Sequence, residues 1–360
     1  MRYLFFTNTP AHVHLYKHVV RRLEERGHDV LVLGRDYGCT EALLSYYDLP
    51  FEIYGHCDTS KFSLLRELPR HYLGILTAVR RFDPDLVFGM GSYAAHAGAL
   101  TGTSVILILD SEPTKLDTAF ARPFARYVLT PHPFSRNLGP KHHEFHGYKE
   151  TAYLHPDVFE PREGIRDMLG VGPEETYAVV RFNAFGSHHD VGHEGFTPTE
   201  RRDFVEALSD RATVFVSDEG DHFDCADLEA RPYDLHPALM HDALAEADLL
   251  VADTQTMVTE AALLGTPAIR SNSFVAGDDM GNFRELEDSG LVENIERYER
   301  VLDRALTILS DDRSGHRWRQ RRAAHLEDMV NLTDVIVDIA ENEGAVERVN
   351  RVTSRSEAST

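Results

Sequence analysis

The residues best suited to chemistry lie in turns that follow short apolar runs. In the first such turn, Thr9-Pro10-Ala11-His12 comes soon after Tyr3–Phe6 and opens an amphipathic stretch. A helix that begins at such a turn offers free N–H groups and a positive dipole end to an anion such as phosphate. Thr9 is therefore a candidate phosphate-loop residue, and His12 a candidate general base or ligand-binding histidine. An N-capping turn with a surface histidine is the alternative.

A second turn holds Gly89, Gly91 and Ser92, after the apolar run Asp85–Gly89. With Ala94, the glycines fit the loose dinucleotide pattern GxGxxA. That pattern belongs to the first strand of a dinucleotide-binding fold, whereas this run is the fourth predicted strand, so we do not predict NAD binding. Glycines also allow the backbone to approach a substrate at a helix N-terminus. We therefore predict a phosphate or acceptor loop.

Two carboxylates, Asp110 and Glu112, close the strongly apolar run Ser104–Leu109. At the carboxyl end of a strand they could act as acid and base, or hold sugar hydroxyls. For Asp110, capping of the following turn is an equally good interpretation. The sequence therefore favours Glu112 as the functional carboxylate.

A histidine-rich loop runs from Arg181 to His193 and includes Asn183 and His188. Its imidazoles and one aspartate could bind a metal, but their spacing matches no zincin or EF-hand pattern. We predict a substrate-binding loop in which Arg181 pairs with a phosphate, Asn183 is a candidate binding residue and His188 a catalytic candidate. An adventitious metal site is the alternative.

Another polar turn, Asp253-Thr254-Gln255-Thr256, joins an apolar run to a predicted helix that Gly265–Pro267 ends. The helix N-terminus near Thr254–Thr256 is a candidate pyrophosphate site. Glu260 lies within the first two turns of this helix, where its carboxylate could reach a ribose diol. A solvated helical glutamate is the alternative interpretation.

An acidic loop follows the next predicted strand and contains Asp278 and Asp279. Their carboxylates are candidates for binding sugar hydroxyls. A solvated loop on an acidic protein explains them equally well.

These turns are positioned by apolar runs that alternate with helical patterns, which is typical of βαβ units and a mostly parallel sheet. The main predicted strands are Tyr3–Phe6, Asp29–Leu33, Phe51–Tyr54, Asp85–Gly89, Ser104–Asp110, Arg126–Thr130, Thr176–Phe182, Thr213–Ser217, Asp248–Ala252 and Pro267–Arg270. The predicted helices include His12–Arg26, Phe62–Phe82 and Leu332–Glu343. We therefore predict an α/β fold of two Rossmann-like domains, 1–155 and 156–345, that face a cleft. A flexible, disordered tail, 346–360, is expected to follow.

The composition narrows the classes of function. Thirty-seven Lys and Arg against 59 Asp and Glu give a net charge of −22, which disfavours a nucleic-acid partner. Lysine occurs at five of those positions, and an acidic, lysine-poor chain fits a halophilic source, although an ordinary acidic protein is the alternative. No run approaches the length of a membrane helix, no secretory signal is evident, and three scattered cysteines indicate neither disulfides nor a zinc ribbon. We expect a cytoplasmic protein without an integral membrane segment.

Taken in chain order, these turns and motifs make residues 1–330 resemble the GT-B superfamily of nucleotide-sugar enzymes. Pro84–Tyr93 looks like the PDxVxGMGGY stretch of the peptidoglycan N-acetylglucosaminyltransferases, and Thr9-Pro10-Ala11-His12 retains the threonine and histidine of their glycine-rich first loop. Glu260, within Thr256–Ile269, falls on the nucleotide-binding glutamate of their TxxELxxxGxPxI segment. Pro10 and Ala11 replace two of the family's glycines.

The pattern is also similar, more distantly, to UDP-N-acetylglucosamine 2-epimerases, whose HRREN segment is loosely like Arg181–His189. With His188-His189-Asp190 and Tyr148-Lys149-Glu150 it looks like an archaeal group known as domain of unknown function 354. An aspartate that the epimerases carry after the fourth strand is replaced by Gly89-Met90-Gly91.

The resemblance implies metal-independent glycosyl transfer from a UDP-sugar, with no cofactor and with the donor bound by the C-terminal half. His12 would serve as base or acceptor-positioning group, assisted by Glu112. The acceptor, a sugar or a lipid-linked molecule, and the oligomeric state, including a homodimer, stay open. One alternative is a sugar-nucleotide 2-epimerase in which Asp110, Glu112 and His188 share proton transfers. A second is a non-catalytic nucleotide-sugar-binding or scaffold protein.

Overall fold

The computed structural model describes residues 1–57, 61–182, 196–218, 223–271 and 279–355, with the backbone alone for 61–65. It divides into two compact units. The first consists of Met1–Phe159 with Asp328–Thr360, and the second of Glu160–Glu327. Each unit is an α/β structure built on its own sheet. Within the described residues, every helix is too short or too polar to cross a lipid bilayer.

The sheet of the first unit has eight strands. They are β1 (Arg2–Thr7), β2 (Asp29–Asp36), β3 (Phe51–His56), β4 (Leu86–Gly89), β5 (Ser104–Ile108), β6 (Tyr127–Pro131), β7 (His142–Phe145) and, near the C-terminus, β14 (Val352–Ser354). Their order is β14-β7-β6-β5-β4-β1-β2-β3, and β14 alone runs antiparallel to its neighbour. Tyr3 to Phe6 of β1 are fully buried, as expected for a parallel strand covered on both faces.

The helices of the first unit pack around this sheet. They are α1 (Pro10–Glu25), α2 (Thr40–Tyr46), α3 (Lys61–Phe82), α4 (Ser92–Thr101), α5 (Lys115–Ala121), α6 (Thr151–Leu154) and α14 (Leu332–Glu341). Helix α1 begins after Thr9, which is extended, and places Pro10 in its first turn, where a missing N–H costs nothing. Gly27, at φ 79°, follows its end and adopts the left-handed conformation that glycine favours after a helix.

The second unit has six parallel strands. They are β8 (Tyr177–Phe182), β9 (Thr213–Asp218), β10 (Ala230–Pro232), β11 (Leu249–Ala252), β12 (Ala268–Arg270) and β13 (Val292–Asn294). The strand order is β10-β9-β8-β11-β12-β13. The helices are α7 (Ile165–Leu169), α8 (Pro198–Ser209), α9 (Met240–Ala245), α10 (Thr256–Leu264), α11 (Gly281–Asp288), α12 (Tyr298–Leu309) and α13 (Ser314–Leu326).

Both sheets reverse their strand order at one point. In the first unit β1 lies between β2 and β4, and in the second β8 lies between β9 and β11. In open parallel sheets, ligands bind beyond the carboxyl ends of the strands at such a reversal. The predicted turns at Thr9–His12 and Gly89–Ser92 flank the first reversal. Arg181 and Thr254–Thr256 flank the second.

The principal predicted strands and helices are present, with bounds shifted by a few residues, but the C-terminal part of the chain differs from its prediction. Helix α14, predicted in the second domain, packs in the first unit, where the Tyr3 hydroxyl donates to the carbonyl of Ala340 at 2.9 Å. Residues 352–354, predicted to be disordered, form β14 against β7. Both differences arise from contacts between parts of the chain that are distant in sequence.

Candidate functional site

His12 lies in the first turn of α1, at the strand reversal of the first unit. Its Nδ1 accepts a hydrogen bond from the backbone N–H of Asn8 at 3.2 Å. A neutral imidazole whose Nδ1 accepts carries its proton on Nε2. His12 therefore presents an N–H donor, rather than a lone pair, at its second nitrogen.

The charge state of His12 follows from its surroundings. Burial lowers the pKa of His12 to about 3, and the cations Lys149 and Arg35 also lower it, while Asp110 opposes them. The imidazole is therefore neutral at physiological pH. In this state His12 is suited to positioning a ligand through its N–H, which is one of the two roles predicted from the sequence.

Asp110 belongs to a buried charge cluster. The Nζ atom of Lys149 lies 2.5 Å from Oδ2 of Asp110 and 3.3 Å from Oε1 of Glu150. Burial opposes ionisation of Asp110, but the ammonium of Lys149 outweighs it, so the pKa of Asp110 is lowered. Burial likewise opposes the charge on Lys149, yet the carboxylates of Asp110 and Glu150 raise its pKa. Asp110 is therefore an ionised carboxylate close enough to His12 to act on its titration.

Glu112 is held by a different part of the first unit. Its Oε1 accepts hydrogen bonds from the backbone N–H of Ser135 at 3.1 Å and from the Ser135 hydroxyl at 3.2 Å. Glu112 therefore stabilises the segment after β6, whereas Asp110 lies in the titratable cluster. The roles that the sequence predicts for the two carboxylates, with Glu112 preferred, stay predictions.

The glycine turn after β4 has structural uses. A Cβ on Gly89 would lie 2.3 Å from Cβ of Ala94, and Gly91 has φ 108°. The N-terminus of α4 faces the Asp117 carboxylate, whose Oδ1 accepts from the Ser92 backbone N–H at 3.3 Å and from its hydroxyl at 2.6 Å. A phosphate at Gly91–Ser92 would have to displace Asp117.

In the second unit, the turn between β11 and α10 contains the predicted Thr254, Gln255 and Thr256. Gln255 precedes α10 without a side-chain cap, so the first N–H groups of this helix have no side-chain acceptor from the capping residue. The Thr254 hydroxyl oxygen is buried and has no hydrogen-bond partner among the described groups. An uncapped helix N-terminus beside a buried hydroxyl is well suited to bind an anionic oxygen.

Two arginines lie at the same edge of the second sheet. Arg181, on β8, donates from Nη1 to the Ser217 hydroxyl at 2.6 Å. Arg201, from α8, lies 3.5 Å from Oδ2 of Asp253 and 4.7 Å from the centre of the Phe182 ring. Arg201 also lies 3.8 Å from Oδ1 of Asp218, so its charge is paired with two carboxylates. Arg181 therefore offers the positive charge that a diphosphate would need near the start of α10. Sequence reasoning identified Arg181 but missed Arg201, which lies on a helix rather than in a turn.

Glu260 is a buried residue of α10 and not a solvated one. Its Oε1 lies 2.9 Å from Nε2 of His241, and both side chains are almost completely buried. The carboxylate therefore contributes to packing between α9 and α10. The ribose-binding role predicted for it would have to coexist with this contact.

Asp279 pairs with a completely buried guanidinium, that of Arg270. Arg270 also donates to Oδ1 of Asn294 at 2.8 Å and lies 3.8 Å from the centre of the Phe283 ring. Asp279 thus compensates a buried charge within the second unit. The predicted residues Asn183, His188 and Asp278 lie outside the described residues.

Lys149 was missed as a site candidate. Two features of the sequence could have identified it. Lysine occurs at only five positions in the chain, and Lys149 lies between Tyr148 and Glu150. Its approach to Asp110, 39 residues earlier in the chain, depends on the strand order.

Comparison with known proteins establishes the family. The family model described as "Protein of unknown function (DUF354)" matches residues 3–343. The chain belongs to this family. An uncharacterised protein of Methanocaldococcus jannaschii is 23% identical over 276 residues, which cover 73% of this chain and 79% of the relative. The resemblance predicted from the sequence is confirmed.

A second relative has a named activity. The UDP-N-acetylglucosamine–N-acetylmuramyl-(pentapeptide) pyrophosphoryl-undecaprenol N-acetylglucosamine transferase of Burkholderia mallei is 30% identical over 135 residues. That match covers 35% of this chain and 37% of the transferase. It is a partial likeness to a glycosyltransferase.

Solved structures confirm the fold. The UDP-GlcNAc 2-epimerase of Neisseria meningitidis, determined bound to UDP-GlcNAc, aligns with a TM-score of 0.63 at 11% identity, over 95% of this chain and 100% of the epimerase. The spinosyn forosaminyltransferase aligns with a TM-score of 0.65 at 13% identity, over 95% and 99% of the two chains. The two units thus form the fold of the GT-B glycosyltransferases and epimerases, as predicted.

Proposed function

We propose that this protein is a glycosyltransferase that uses a UDP-sugar donor without a metal ion. The observation that carries the proposal is the start of α10, where a helix N-terminus without a side-chain cap adjoins the strand reversal of the second sheet. The Thr254 hydroxyl, which has no hydrogen-bond partner among the described residues, lies at the same point. Arg181 supplies positive charge at the same edge. These groups would bind the diphosphate and stabilise the charge that it gains on leaving.

The reaction follows from the chemistry of such a donor. The oxygen of an acceptor hydroxyl forms a bond to C1 of the donor sugar, while the bond from C1 to the diphosphate oxygen breaks and UDP departs with its electron pair. The acceptor proton needs a base. We assign that role to Asp110, which is ionised, and the positioning of the acceptor to His12, whose Nδ1 is already occupied.

Isothermal titration calorimetry tests the donor site. A panel of UDP-, GDP- and dTDP-sugars is titrated in several molar KCl into the wild type, Thr254→Val and Thr266→Val. We expect saturable heat with a UDP-sugar and an affinity about tenfold weaker in Thr254→Val, because the ligand loses one hydrogen bond.

The matched control is Thr266, whose hydroxyl donates to the Leu244 carbonyl at 2.6 Å. Thr266→Val is expected to lower stability and leave the affinity unchanged. Equal UDP-sugar affinity in Thr254→Val and the wild type would refute the site, and the absence of binding to any nucleotide sugar would refute the function.

A 2-epimerase is the second candidate, favoured by Asp110, which follows β5 next to the first strand reversal and is paired with Lys149. Epimerisation breaks and reforms the C2–H bond of the sugar. Incubating the protein with UDP-GlcNAc in D₂O distinguishes the two activities, since an epimerase incorporates deuterium at C2 and a transferase does not. A scaffold protein would bind the nucleotide sugar with neither turnover nor exchange.

A further inference from the structure

Helices α3, α4 and α5 of the first unit form a layer whose outer side carries large apolar residues. The three helices contribute their inner sides to one hydrophobic core, and α4 contacts both of the others. Four apolar side chains of this layer are nevertheless at least half exposed: Leu100 is 57% exposed, Leu116 77%, Phe120 64% and Phe124 50%. We call these four residues the apolar patch. Exposed apolar residues that are grouped in this way mark a surface for a partner or a membrane.

The members of the apolar patch are neighbours. Leu116 and Phe120 are four residues apart on α5 and therefore share one side of the helix. Phe124 follows four residues later, in the short 3₁₀ turn that continues α5, and its ring centre lies 5.3 Å from that of His96 on α4. Leu100 lies four residues after His96, on the same side of α4. The patch therefore extends over two adjacent helices.

The charge of this layer is opposite to that of the chain. The chain carries a net charge of −22. Among the described side chains of α3, α4, α5 and the 3₁₀ turn, six are Lys or Arg and two are Asp or Glu. The six cations are all exposed, and they are Arg66, Arg70, Arg80, Arg81, Lys115 and Arg122. Even with Arg81 paired to Glu52 of β3, the layer is a positive region on an acidic protein.

Two of these cations flank the apolar patch directly. Lys115 precedes the first member of the patch on α5, and Arg122 lies between its last two members in the chain. The carboxylate of α5, Asp117, accepts hydrogen bonds from Ser92 at the start of α4. Exposed leucine and phenylalanine side chains next to Lys and Arg are the combination that binds the surface of a bilayer with anionic lipids.

We propose that this layer of the first unit docks on a lipid bilayer surface that carries anionic lipids. The apolar patch enters the boundary between headgroups and acyl chains, and the surrounding Lys and Arg side chains lie near the lipid phosphates. A second copy of the chain is a poorer occupant, because two positive layers would face each other. The docking depends on the outer side of α4 and α5 and is independent of the donor site proposed in the second unit.

Vesicle sedimentation of the full chain tests the docking. The protein is mixed with vesicles of phosphatidylglycerol or of phosphatidylcholine, at low and at molar KCl. We expect the wild type to sediment with phosphatidylglycerol and much less with phosphatidylcholine. We also expect weaker binding at molar KCl, because salt screens the attraction between Lys or Arg and the lipid phosphates.

Two variants separate the apolar and the charged contributions. Phe120→Ser should weaken partition into phosphatidylglycerol vesicles roughly tenfold at both salt concentrations, because the inserted ring is lost. Lys115→Glu should weaken it roughly fivefold at low KCl and little at molar KCl. The matched control is Met168→Ser, at an apolar residue of α7 in the second unit that is 46% exposed, and it should bind as the wild type does. The Tm of all three variants should stay within about 2 °C of the wild type, because the replaced side chains are exposed.

Three results would overturn the proposal. They are a wild type that does not sediment with phosphatidylglycerol vesicles, equal partition of Phe120→Ser and the wild type, and equal binding to both lipids without an effect of KCl. Self-association of the wild type that Phe120→Ser abolishes, without vesicle binding, would assign the layer to a contact between copies of the chain. Since the vesicles contain no nucleotide sugar, each result is independent of the function proposed above.

Discussion

The Nζ atom of Lys149 lies 2.5 Å from Oδ2 of Asp110, so the turn before α6 is tied to the end of β5 by a buried ion pair. Only 7% of the Lys149 side chain is exposed. Desolvation of two charges is costly, and their attraction repays it only while both partners are present. The pair is therefore a sensitive point of the first unit, and it also keeps Asp110 ionised.

Replacing Lys149 is expected to lower the stability of the first unit. Lys149→Met removes the ammonium group from beside the buried Glu150 and the half-buried Asp110, which should lower the free energy of unfolding by about 3 kcal/mol. Urea denaturation at fixed KCl measures the change. Lys115→Met, at an exposed lysine, should stay within about 0.5 kcal/mol of the wild type. A loss below about 1 kcal/mol in Lys149→Met would show that the ion pair contributes little.

His12 should make the protein sensitive to mild acid. Its pKa is lowered to about 3 in the folded state, against 6.5 for the unperturbed group. Between these values the unfolded chain binds a proton that the folded protein does not, so stability is complete above pH 6.5 and falls as the pH falls. From pH 6.5 to 4.5 this single group should cost about 2–3 kcal/mol.

Urea denaturation of wild type and His12→Gln over pH 4.5–7.5 checks this expectation. The variant, whose amide oxygen can still accept from Asn8, should lose less stability over the range by that amount. His316→Gln, at an exposed histidine of α13, should retain the wild-type pH dependence. Parallel curves for wild type and His12→Gln would contradict a neutral His12 imidazole with a lowered pKa.

The sequence predicted the positions of the turns better than the contacts that individual side chains make within them. Hydrophobic periodicity placed Asp110 and Glu112 correctly after β5, because that signal is local. It could not show that Ser135, 23 residues later, binds Glu112, or that Lys149 reaches Asp110. Such partners depend on the order of strands in the sheet, which a local pattern does not contain.

The same limit applies to the fold. Strands β1 and β8 are long apolar runs and were predicted from their composition. Strand β7 has the sequence His142-His143-Glu144-Phe145, which carries little hydrophobic signal, and it is not among the predicted strands. Its partner β14 was then predicted to be disordered, because the pairing that orders it joins residues more than 200 positions apart.

Asp279 is expected to matter for stability whether or not it binds a sugar. Asp279→Ala leaves the buried guanidinium of Arg270 without its carboxylate, which should lower the free energy of unfolding by about 3–5 kcal/mol. Asp288→Ala, at an exposed aspartate at the end of α11, should cost less than about 0.5 kcal/mol. Chemical denaturation of the two variants measures the change in the free energy of unfolding. An equally small loss of stability in both variants would show that Asn294 and Phe283 are enough to stabilise the buried Arg270.

A test of the ribose-binding role of Glu260 needs a variant that changes ligand binding without changing the stability of the fold. Glu260→Ala removes the partner of His241 and should destabilise the second unit by about 1–3 kcal/mol, so that a loss of ligand binding would have two explanations. Glu260→Gln retains an oxygen that can accept from the Nε2–H of His241, and we expect its stability to stay within about 1 kcal/mol of the wild type.

If the carboxylate of Glu260 binds the ribose diol, calorimetry should show UDP-sugar affinity roughly tenfold weaker in Glu260→Gln, because hydrogen bonds to a charged acceptor are stronger than those to a neutral one. An unchanged UDP-sugar affinity in this variant would show that Glu260 only packs between α9 and α10. The donor site would then be limited to the start of α10.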